Sequence, residues 1–246
     1  MKWIEGTVVE NLLWTENLFS LKIAADAADF TAGQFTSLAL DIEGERVARP
    51  YSYLSSPGEQ PLEFFFYTAV DGVLSNALIK LEPGDPVWVR EKAAGFFTLD
   101  EVPPAREMWM MGTGTGVAPF FSILRTEEPW QRFDHIVLAV GVRTQADLRY
   151  QHLIDDLRNQ YGERFHYQPF ISREDVTGAI RGRIPASIES GTLEVSVNRS
   201  LSVEESHIML CGNPDMVKDA TAVLKLRGFQ KNLRRKPGHI TVENYW

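Results

Sequence analysis

The stretch Gly112–Pro119, which reads GTGTGVAP, follows a short apolar run and precedes a segment with helical spacing. Three glycines within five residues exceed what a strand-to-helix turn requires, and they let a ligand approach the backbone closely. The third glycine comes one residue too early for the dinucleotide fingerprint GxGxxG, and no Lys-Ser or Lys-Thr pair follows to complete a P-loop. The stretch predicts a strand, a loop at the edge of a parallel sheet, and a helix that accommodates Pro119 in its first turn. An ordinary tight turn is the alternative.

The same alternation of strand and helix patterns continues through the second half of the chain. It predicts a parallel sheet covered by helices on both faces. The predicted strands are Met108–Met111, His135–Gly141, Phe165–Ile171 and Ser206–Leu210, and the predicted helices are Val117–Thr126, Asp147–Gln160 and Pro214–Leu226.

The first hundred residues have a different pattern, in which short strands are separated by Gly, Pro and Asp turns. Regular spacing of this kind predicts a small antiparallel β-barrel, with one helix at Val73–Lys80. The predicted strands are Ile4–Val9, Leu18–Ala24, Gln34–Ile42, Arg46–Leu54, Leu62–Tyr67 and Pro86–Glu91. Consecutive prolines at Pro103 and Pro104 suit a linker. We therefore predict two domains, an antiparallel β-barrel in residues 1–100 and an α/β parallel-sheet domain in residues 101–246.

Charge is distributed unevenly along the chain. The net charge of −8 argues against general nucleic-acid binding. The segment Lys218–Ile240 nevertheless contains seven basic residues and one acid, so it carries +6 and the remainder carries −14. A solvated helix face is one explanation, and a docking patch for an acidic protein is the other.

Composition also excludes several classes of protein. The single cysteine, Cys211, allows no intrachain disulfide and cannot ligate an iron–sulfur cluster that needs about four ligands. The five histidines show no metal-binding spacing, so no metal site is predicted. Apolar runs are much shorter than the roughly 20 residues of a membrane-spanning helix, and Glu5 interrupts any signal-peptide core. We expect a cytoplasmic protein without membrane contact.

The tetrapeptide Arg49-Pro50-Tyr51-Ser52 lies within an apolar strand pattern. A bound flavin would need a cation for its pyrophosphate, an aromatic face for its ring and a hydroxyl near N5. Arg49, Tyr51 and Ser52 offer these three groups within four residues. The alternative is that Arg49 faces solvent and Tyr51 only packs in the barrel.

The motif Arg-x-Tyr-Ser, together with Ala32–Phe35 and Ala93–Phe97, resembles the ferredoxin–NADP reductase superfamily, and its bacterial ferredoxin/flavodoxin–NADP reductases in particular. The resemblance extends over essentially the whole chain. It implies FAD contacts at Arg49, Pro50, Tyr51, Ser52, Tyr67, Thr68, Ala69, Val73, Leu74, Ser75 and Thr115. It also implies a C-terminal aromatic tail that returns to the FAD, with Tyr245 near the flavin and Trp246 stacked on the adenine.

Ser172 and Arg173 follow the third predicted strand of the second domain, and Arg183 comes soon after. Ligands of open parallel sheets lie beyond the carboxyl ends of the strands. Arginines at this edge predict the 2′-phosphate of NADP, with Arg173 and Arg183 as main anchors and Arg143 as a further contact. The alternative is that these arginines pair with Glu174 or Asp175. The full set of predicted NADP contacts is Gly114, Thr115, Arg143, Ser172, Arg173, Arg183, Cys211, Gly212, Asn213, Pro214 and Asp215.

The resemblance implies catalytic roles for Ser52, Cys211 and Glu243. Cys211 would face the nicotinamide and assist hydride geometry, and Glu243 would help proton delivery to the flavin. The implied activity is electron transfer through FAD between NADPH and a one-electron carrier, ferredoxin or flavodoxin. We expect the enzyme to be a monomer. The carrier is expected to dock near Lys218–Lys236. An NADPH-dependent reductase that supplies free flavin or an oxygenase, and a non-catalytic flavin-binding regulator, are the alternatives.

Overall fold

The computed structural model describes residues 2–244, which cluster into two compact units. One unit contains the chain up to Leu99 together with Ala118–Glu127, and the other contains Asp100–Val117 together with the chain from Glu128 onward. Each unit has its own six-stranded sheet. No helix within residues 2–244 is long and apolar enough to cross a membrane.

The first unit is built on antiparallel strands in the order β4-β3-β6-β1-β2-β5. The strands are β1 (Trp3–Thr15), β2 (Leu18–Ala24), β3 (Phe35–Ile42), β4 (Glu45–Ser52), β5 (Leu62–Tyr67) and β6 (Pro86–Arg90). A bridge between Tyr53 and Phe64 joins the chain just after β4 to β5, so the two edges of the sheet meet. The predicted antiparallel barrel is confirmed.

Two helices belong to the first unit. Helix α1 (Val73–Leu78) places Leu74 and Leu78 in the barrel core. Helix α2 (Ala118–Leu124) is fully buried, and its Ser122 hydroxyl donates a hydrogen bond to the carbonyl oxygen of Ser55 at 2.8 Å. Contacts of this kind explain why residues 118–127 cluster with the barrel although they follow the glycine-rich stretch in sequence.

The second unit contains a parallel sheet in the order β10-β9-β8-β7-β11-β12. Its strands are β7 (Glu107–Thr113), β8 (His135–Val142), β9 (Phe165–Ile171), β10 (Ile180–Arg181), β11 (Ser206–Gly212) and β12 (Ile240–Asn244). Its helices are α3 (Glu128–Arg132), α4 (Gln151–Tyr161), α5 (Ile184–Ser190), α6 (Thr192–Val197) and α7 (Pro214–Leu226). The predicted parallel-sheet domain is confirmed. Because every strand runs in the same direction, all the carboxyl ends lie at one edge of the sheet, which is where ligands of such sheets bind.

Candidate functional site

The glycine-rich stretch occupies the carboxyl end of β7 and continues into one tight helical turn, Gly114–Val117. A Cβ atom added to Gly116 would lie 2.6 Å from the Cα of Gly212 and 2.8 Å from the carbonyl oxygen of Cys211. Only glycine therefore allows this turn to approach the end of β11 so closely. Gly114 has a positive φ of 54°, and Thr115 is buried.

The segment Cys211–Asp215 ends β11 and begins α7. Cys211 is fully buried and forms no disulfide. Gly212 has a φ of 120°, a conformation that side-chain-bearing residues rarely adopt. The side-chain oxygen of Asn213 accepts hydrogen bonds from the backbone N–H groups of Asp215 (2.9 Å) and Met216 (3.2 Å), so Asn213 is the N-cap of α7. The predicted NADP contacts in this segment thus form one ordered loop at the ligand edge.

Glu243 lies beside this loop, in β12. It pairs with Cys211 in the parallel ladder between β11 and β12. Its Oε2 atom is buried without a hydrogen-bond partner among the described residues, and burial raises its pKa to about 7. A buried polar oxygen normally has a partner. The position is therefore suited to a carboxyl group that exchanges a proton near neutral pH.

The three arginines predicted to bind the 2′-phosphate, Arg143, Arg173 and Arg183, follow β8, β9 and β10 at the same edge. The backbone N–H of Arg173 donates to the carbonyl oxygen of Arg143 at 3.0 Å, so their two loops lie side by side. All three side chains are exposed, and none forms an ion pair with a carboxylate in residues 2–244.

The two acids that could have neutralised these arginines have other partners. Asp175 pairs with Arg181, and Glu174 accepts a hydrogen bond from the backbone N–H of Gln145 at 2.7 Å. The alternative of ion-paired surface arginines therefore describes Arg181, and it leaves the two predicted anchors and Arg143 available to an anion.

In the first unit, the tetrapeptide Arg49–Ser52 forms the end of β4. Arg49 is exposed; its Nη1 donates to the carbonyl oxygen of Ala48 at 2.7 Å, and no carboxylate of the described chain pairs with it. The Tyr51 ring packs edge-on against Phe66 at 5.3 Å between centroids, and burial raises its pKa to about 12. Ser52 is buried. Arg49 does face solvent, as the alternative holds, but its unpaired charge leaves it able to bind a phosphate.

The second predicted flavin-binding segment connects β5 to α1. The Ser75 hydroxyl accepts a hydrogen bond from the Ala69 N–H (3.2 Å) and donates one to the carbonyl oxygen of Gly72 (3.3 Å). The N-cap residue is Gly72, which has no side chain to cap the first turn. The first N–H groups of α1 thus lack a side-chain acceptor, and such groups favour an anion. The remaining predicted contacts in this region are Tyr67 and Thr68, both half-buried, the exposed Ala69 and Val73, and the buried Leu74.

The structure brings two of the three predicted catalytic residues together. Cys211 and Glu243 are neighbours in the second unit, whereas Ser52 belongs to the first. Tyr245 and Trp246 lie outside the described residues. Sequence reasoning missed Thr113, whose Oγ1 accepts a hydrogen bond from the Asn213 N–H at 2.8 Å. Its place inside the glycine-rich stretch was the only signal.

Two domain-family models match the chain and define the class of protein. An Oxidoreductase FAD-binding domain model matches residues 8–95, and an Oxidoreductase NAD-binding domain model matches residues 110–222. The chain is therefore a two-domain oxidoreductase whose halves bind a flavin and a nicotinamide dinucleotide.

Relatives that match over nearly their whole length identify the family within this class. The flavodoxin/ferredoxin–NADP reductases of Shigella flexneri and Escherichia coli (strain K12) are each 48% identical to this chain over 99% of both sequences. The crystal structure of a ferredoxin NADP+ reductase from Neisseria gonorrhoeae with bound FAD and NADP has a TM-score of 0.95 at 29% identity, over 100% of both chains. This chain belongs to the flavodoxin/ferredoxin–NADP reductase family. The predicted family, enzyme class and cofactors, FAD and NADP, are confirmed.

Proposed function

We propose that this enzyme transfers electrons between NADPH and a one-electron carrier protein, ferredoxin or flavodoxin. The observation that carries the proposal is the 48% identity, over nearly the whole of both chains, to reductases of that name. Bound FAD supplies the conversion between a two-electron hydride and single electrons. The residues of the chain bind, orient and shield the reacting groups, and handle the proton.

Residues of the first unit fit an FAD. We propose that Arg49 and the uncapped N-terminus of α1 bind the pyrophosphate, because both present positive charge without an anionic partner in the described chain. Tyr51 offers its ring and Ser52 its hydroxyl to the isoalloxazine. On this proposal, residues 1–100 form the FAD-binding domain and residues 101–246 the NADP-binding domain.

The ligand edge of the second sheet fits an NADP. We propose that Arg173 and Arg183, with Arg143 beside them, bind the 2′-phosphate, since none of the three is neutralised by a carboxylate of the described residues. The glycine-rich turn and the loop Cys211–Asp215 would receive the rest of the dinucleotide, with Cys211 beside the nicotinamide. Glu243, whose pKa lies near 7, would hold the exchangeable proton.

Two of the seven cations in the basic segment Lys218–Ile240 are paired with carboxylates. Arg227 forms a two-point ion pair with Glu194 at 2.7 and 2.9 Å, and Arg234 lies 3.7 Å from Glu101. The other five cations, Lys218, Lys225, Lys231, Arg235 and Lys236, are exposed.

The course of the chain places most of these cations away from the ligand edge. Helix α7 starts at the carboxyl end of β11, and the chain then returns to the amino end of β12. We propose that the basic segment attracts an acidic carrier mainly through long-range electrostatic attraction, and that other residues of the enzyme contact the bound carrier directly. An otherwise acidic chain needs such a local patch to recruit an acidic partner.

An anaerobic titration of the purified protein with NADPH and then with NADH, followed by visible absorbance, tests the cofactor assignment. The yellow flavin should be bleached by NADPH at much lower concentration than by NADH. A protein that NADPH cannot bleach would support the non-catalytic regulator instead.

A second experiment tests the carrier. The rate of ferredoxin or flavodoxin reduction should fall steeply with salt, because surface charges are screened within about 8 Å at 0.15 M ionic strength. The single variants Lys231→Glu and Arg235→Glu should each lower the rate of carrier reduction. Lys92→Glu makes the same change in charge at an exposed site in the first unit, and it should lower this rate less. Rapid reduction of free flavin with salt-insensitive carrier turnover would favour the alternative reductase. A cytoplasmic location and a monomeric state remain predictions.

A further inference from the structure

Thr113, the last residue of β7, lies between glycines on both neighbouring strands. It pairs with Gly141 of β8, where an added Cβ would lie 3.2 Å from the Thr113 Cγ2 atom. On the other side, an added Cβ at Gly212 of β11 would lie 2.5 Å from the Thr113 Oγ1 atom. The side chain of Thr113 thus occupies space that a side chain at either glycine would need. This close packing joins the carboxyl ends of three strands.

The hydroxyl of Thr113 makes a specific bond as well as filling space. Its Oγ1 accepts a hydrogen bond from the backbone N–H of Asn213 at 2.8 Å. Asn213 in turn accepts hydrogen bonds from two backbone N–H groups of the first turn of α7. The Thr113 hydroxyl is therefore connected to the start of α7 through Asn213, which bonds to Thr113 by its backbone N–H and to the helix by its side chain.

A β-branched residue suits this connection. Threonine has few accessible rotamers, so its hydroxyl is held in place more firmly than that of serine. Gly212, with a φ of 120°, supplies a backbone conformation that residues with a side chain rarely adopt, and this conformation brings the Asn213 N–H to the Thr113 hydroxyl.

We infer that Thr113 is a positioning residue for hydride transfer, which sets the position of the Cys211–Asn213 backbone by accepting the Asn213 N–H. The inference rests on the proposed function, because it takes the Cys211–Asp215 loop as the nicotinamide-binding loop. Thr113 acts through Asn213, so its loss should affect steps that involve the nicotinamide and not the binding of the 2′-phosphate.

The test uses the FAD-loaded enzyme and three substitutions. Thr113→Val keeps the shape of the side chain and removes the acceptor, and Thr113→Ser keeps the acceptor. Thr221→Val is the matched control, because it removes a hydroxyl that is hydrogen-bonded to the Val217 carbonyl oxygen within α7. Hydrogen exchange of residues 211–216 reports the loop itself, without reference to activity. Stopped-flow reduction of the flavin by NADPH reports the reaction, and titration with 2′-phospho-AMP reports the phosphate site.

We expect Thr113→Val to increase exchange in residues 211–216 and to slow flavin reduction at saturating NADPH about fivefold or more, the size expected for one lost hydrogen bond. Affinity for 2′-phospho-AMP should not change, Thr113→Ser should recover most of the rate, and Thr221→Val should leave it unaltered.

Three results would overturn the inference alone, and a fourth would overturn it together with the proposed function. Unchanged exchange in Thr113→Val would show that the hydroxyl does not hold the loop. Increased exchange with an unchanged reduction rate would separate the loop from the reaction while leaving the proposed function intact. A Thr113→Ser enzyme as slow as Thr113→Val would show that the hydroxyl alone does not position the loop. A wild-type enzyme that NADPH fails to reduce would refute the proposed function itself, and the inference with it.

Discussion

Cys211 and Glu243 occupy directly opposed positions in the parallel ladder of β11 and β12. The resemblance gave each a catalytic role separately, and nothing in the sequence indicated that they are neighbours. The pairing places a buried thiol beside a half-buried glutamate, whose Oε2 atom is buried, at the edge where the dinucleotide is proposed to bind. If the proposed roles hold, hydride geometry and proton supply would be controlled at one point of the sheet.

Glu243 should make turnover depend on pH around neutrality. Since burial raises its pKa to about 7, the carboxyl group is protonated below this pH and loses its proton as the pH rises through it. As a proton donor it should support fast turnover below about pH 7 and slower turnover above. Glu243→Gln should reduce the rate roughly tenfold or more at pH 6 and flatten the profile, given the usual size of general acid catalysis. The measurement is the pH dependence of kcat for NADP+ reduction by the reduced carrier, because this direction consumes a proton, whereas carrier reduction by NADPH releases one.

The control for this experiment is Glu205→Gln, which changes an exposed carboxylate of the same unit. It should leave the profile as it is in the wild type. An inflection near pH 7 that persists in Glu243→Gln would assign the titration to another group.

Arg173 and Arg183 should determine the preference for NADPH over NADH. Each is expected to form a charge-assisted hydrogen bond to the 2′-phosphate, and loss of such a bond costs about 1.5–3 kcal/mol, or roughly 10- to 100-fold in affinity. Arg173→Ala and Arg183→Ala should raise KM for NADPH by that factor and change KM for NADH little. Arg181→Ala is the matched control, because Arg181 already pairs with Asp175. Equal increases for the two coenzymes would refute the assignment.

The strands that the sequence predicted well are those with uninterrupted apolar or alternating patterns. β2, β5 and β9 begin and end at the predicted residues. β10 has only two residues, too few for any pattern, and β12 reads ITVEN with polar residues near its end. Both become strands because a neighbouring strand offers a parallel partner, which local sequence cannot reveal.

Helix α4 shows how local side-chain bonds shift an element. The predicted helix starts at Asp147, but Asp147 accepts hydrogen bonds from the N–H and hydroxyl of Thr144 and ends a short turn. Tyr150 then adopts a left-handed conformation, with φ of 61°, and α4 begins at Gln151. Aspartate and threonine side chains can form local hydrogen bonds in place of those of a helix. The spacing of the apolar residues, from which the helix was predicted, carries no information on these bonds.

For the site, residue types and strand ends were enough to predict that the proposed NADP contacts lie at one edge of the parallel sheet, and their role in binding stays a prediction. The sequence could not predict which arginine takes Asp175, or that Thr113 and Asn213 are hydrogen-bonded across a hundred residues. Such choices depend on side-chain geometry between strands that are remote in sequence. The burial of Glu243 belongs to the same class, since it follows from the pairing of β12 with β11.

Gly116 should be intolerant of even a methyl group. In Gly116→Ala the new Cβ would meet the backbone of Cys211 and Gly212 at 2.6–2.8 Å, and backbone atoms cannot move aside cheaply. We expect a loss of about 1–3 kcal/mol in the free energy of unfolding, together with much slower flavin reduction by NADPH. Gly44→Ala is the control: Gly44 has a left-handed backbone, with φ of 84°, that strains an alanine, but nothing lies within 4 Å of its added Cβ. Its cost should be about 1 kcal/mol, without an effect on reduction. Thermal unfolding and stopped-flow absorbance measure the two quantities, and a Gly116→Ala enzyme of wild-type speed would show that this close approach is not needed for function.

Arg49 should contribute to FAD affinity and little to the stability of the barrel. Its exposed side chain has only the Ala48 carbonyl as a hydrogen-bond acceptor and pairs with no carboxylate in residues 2–244, so its removal breaks no ion pair of the described fold. A lost contact to the pyrophosphate should weaken FAD binding roughly 10- to 100-fold.

Arg46 is the matched control on the same strand, where it forms a two-point ion pair with Asp41 at 2.9 Å and lies 4.0 Å from the centroid of the Trp88 ring. Arg46→Ala should therefore lower the melting temperature of the FAD-free protein slightly and leave FAD affinity unchanged, whereas Arg49→Ala should do the reverse. Titration of the FAD-free proteins with FAD, followed by flavin fluorescence, and thermal unfolding distinguish the two. Equal FAD affinities in Arg49→Ala and the wild type would mean that the exposed guanidinium group is an ordinary surface charge.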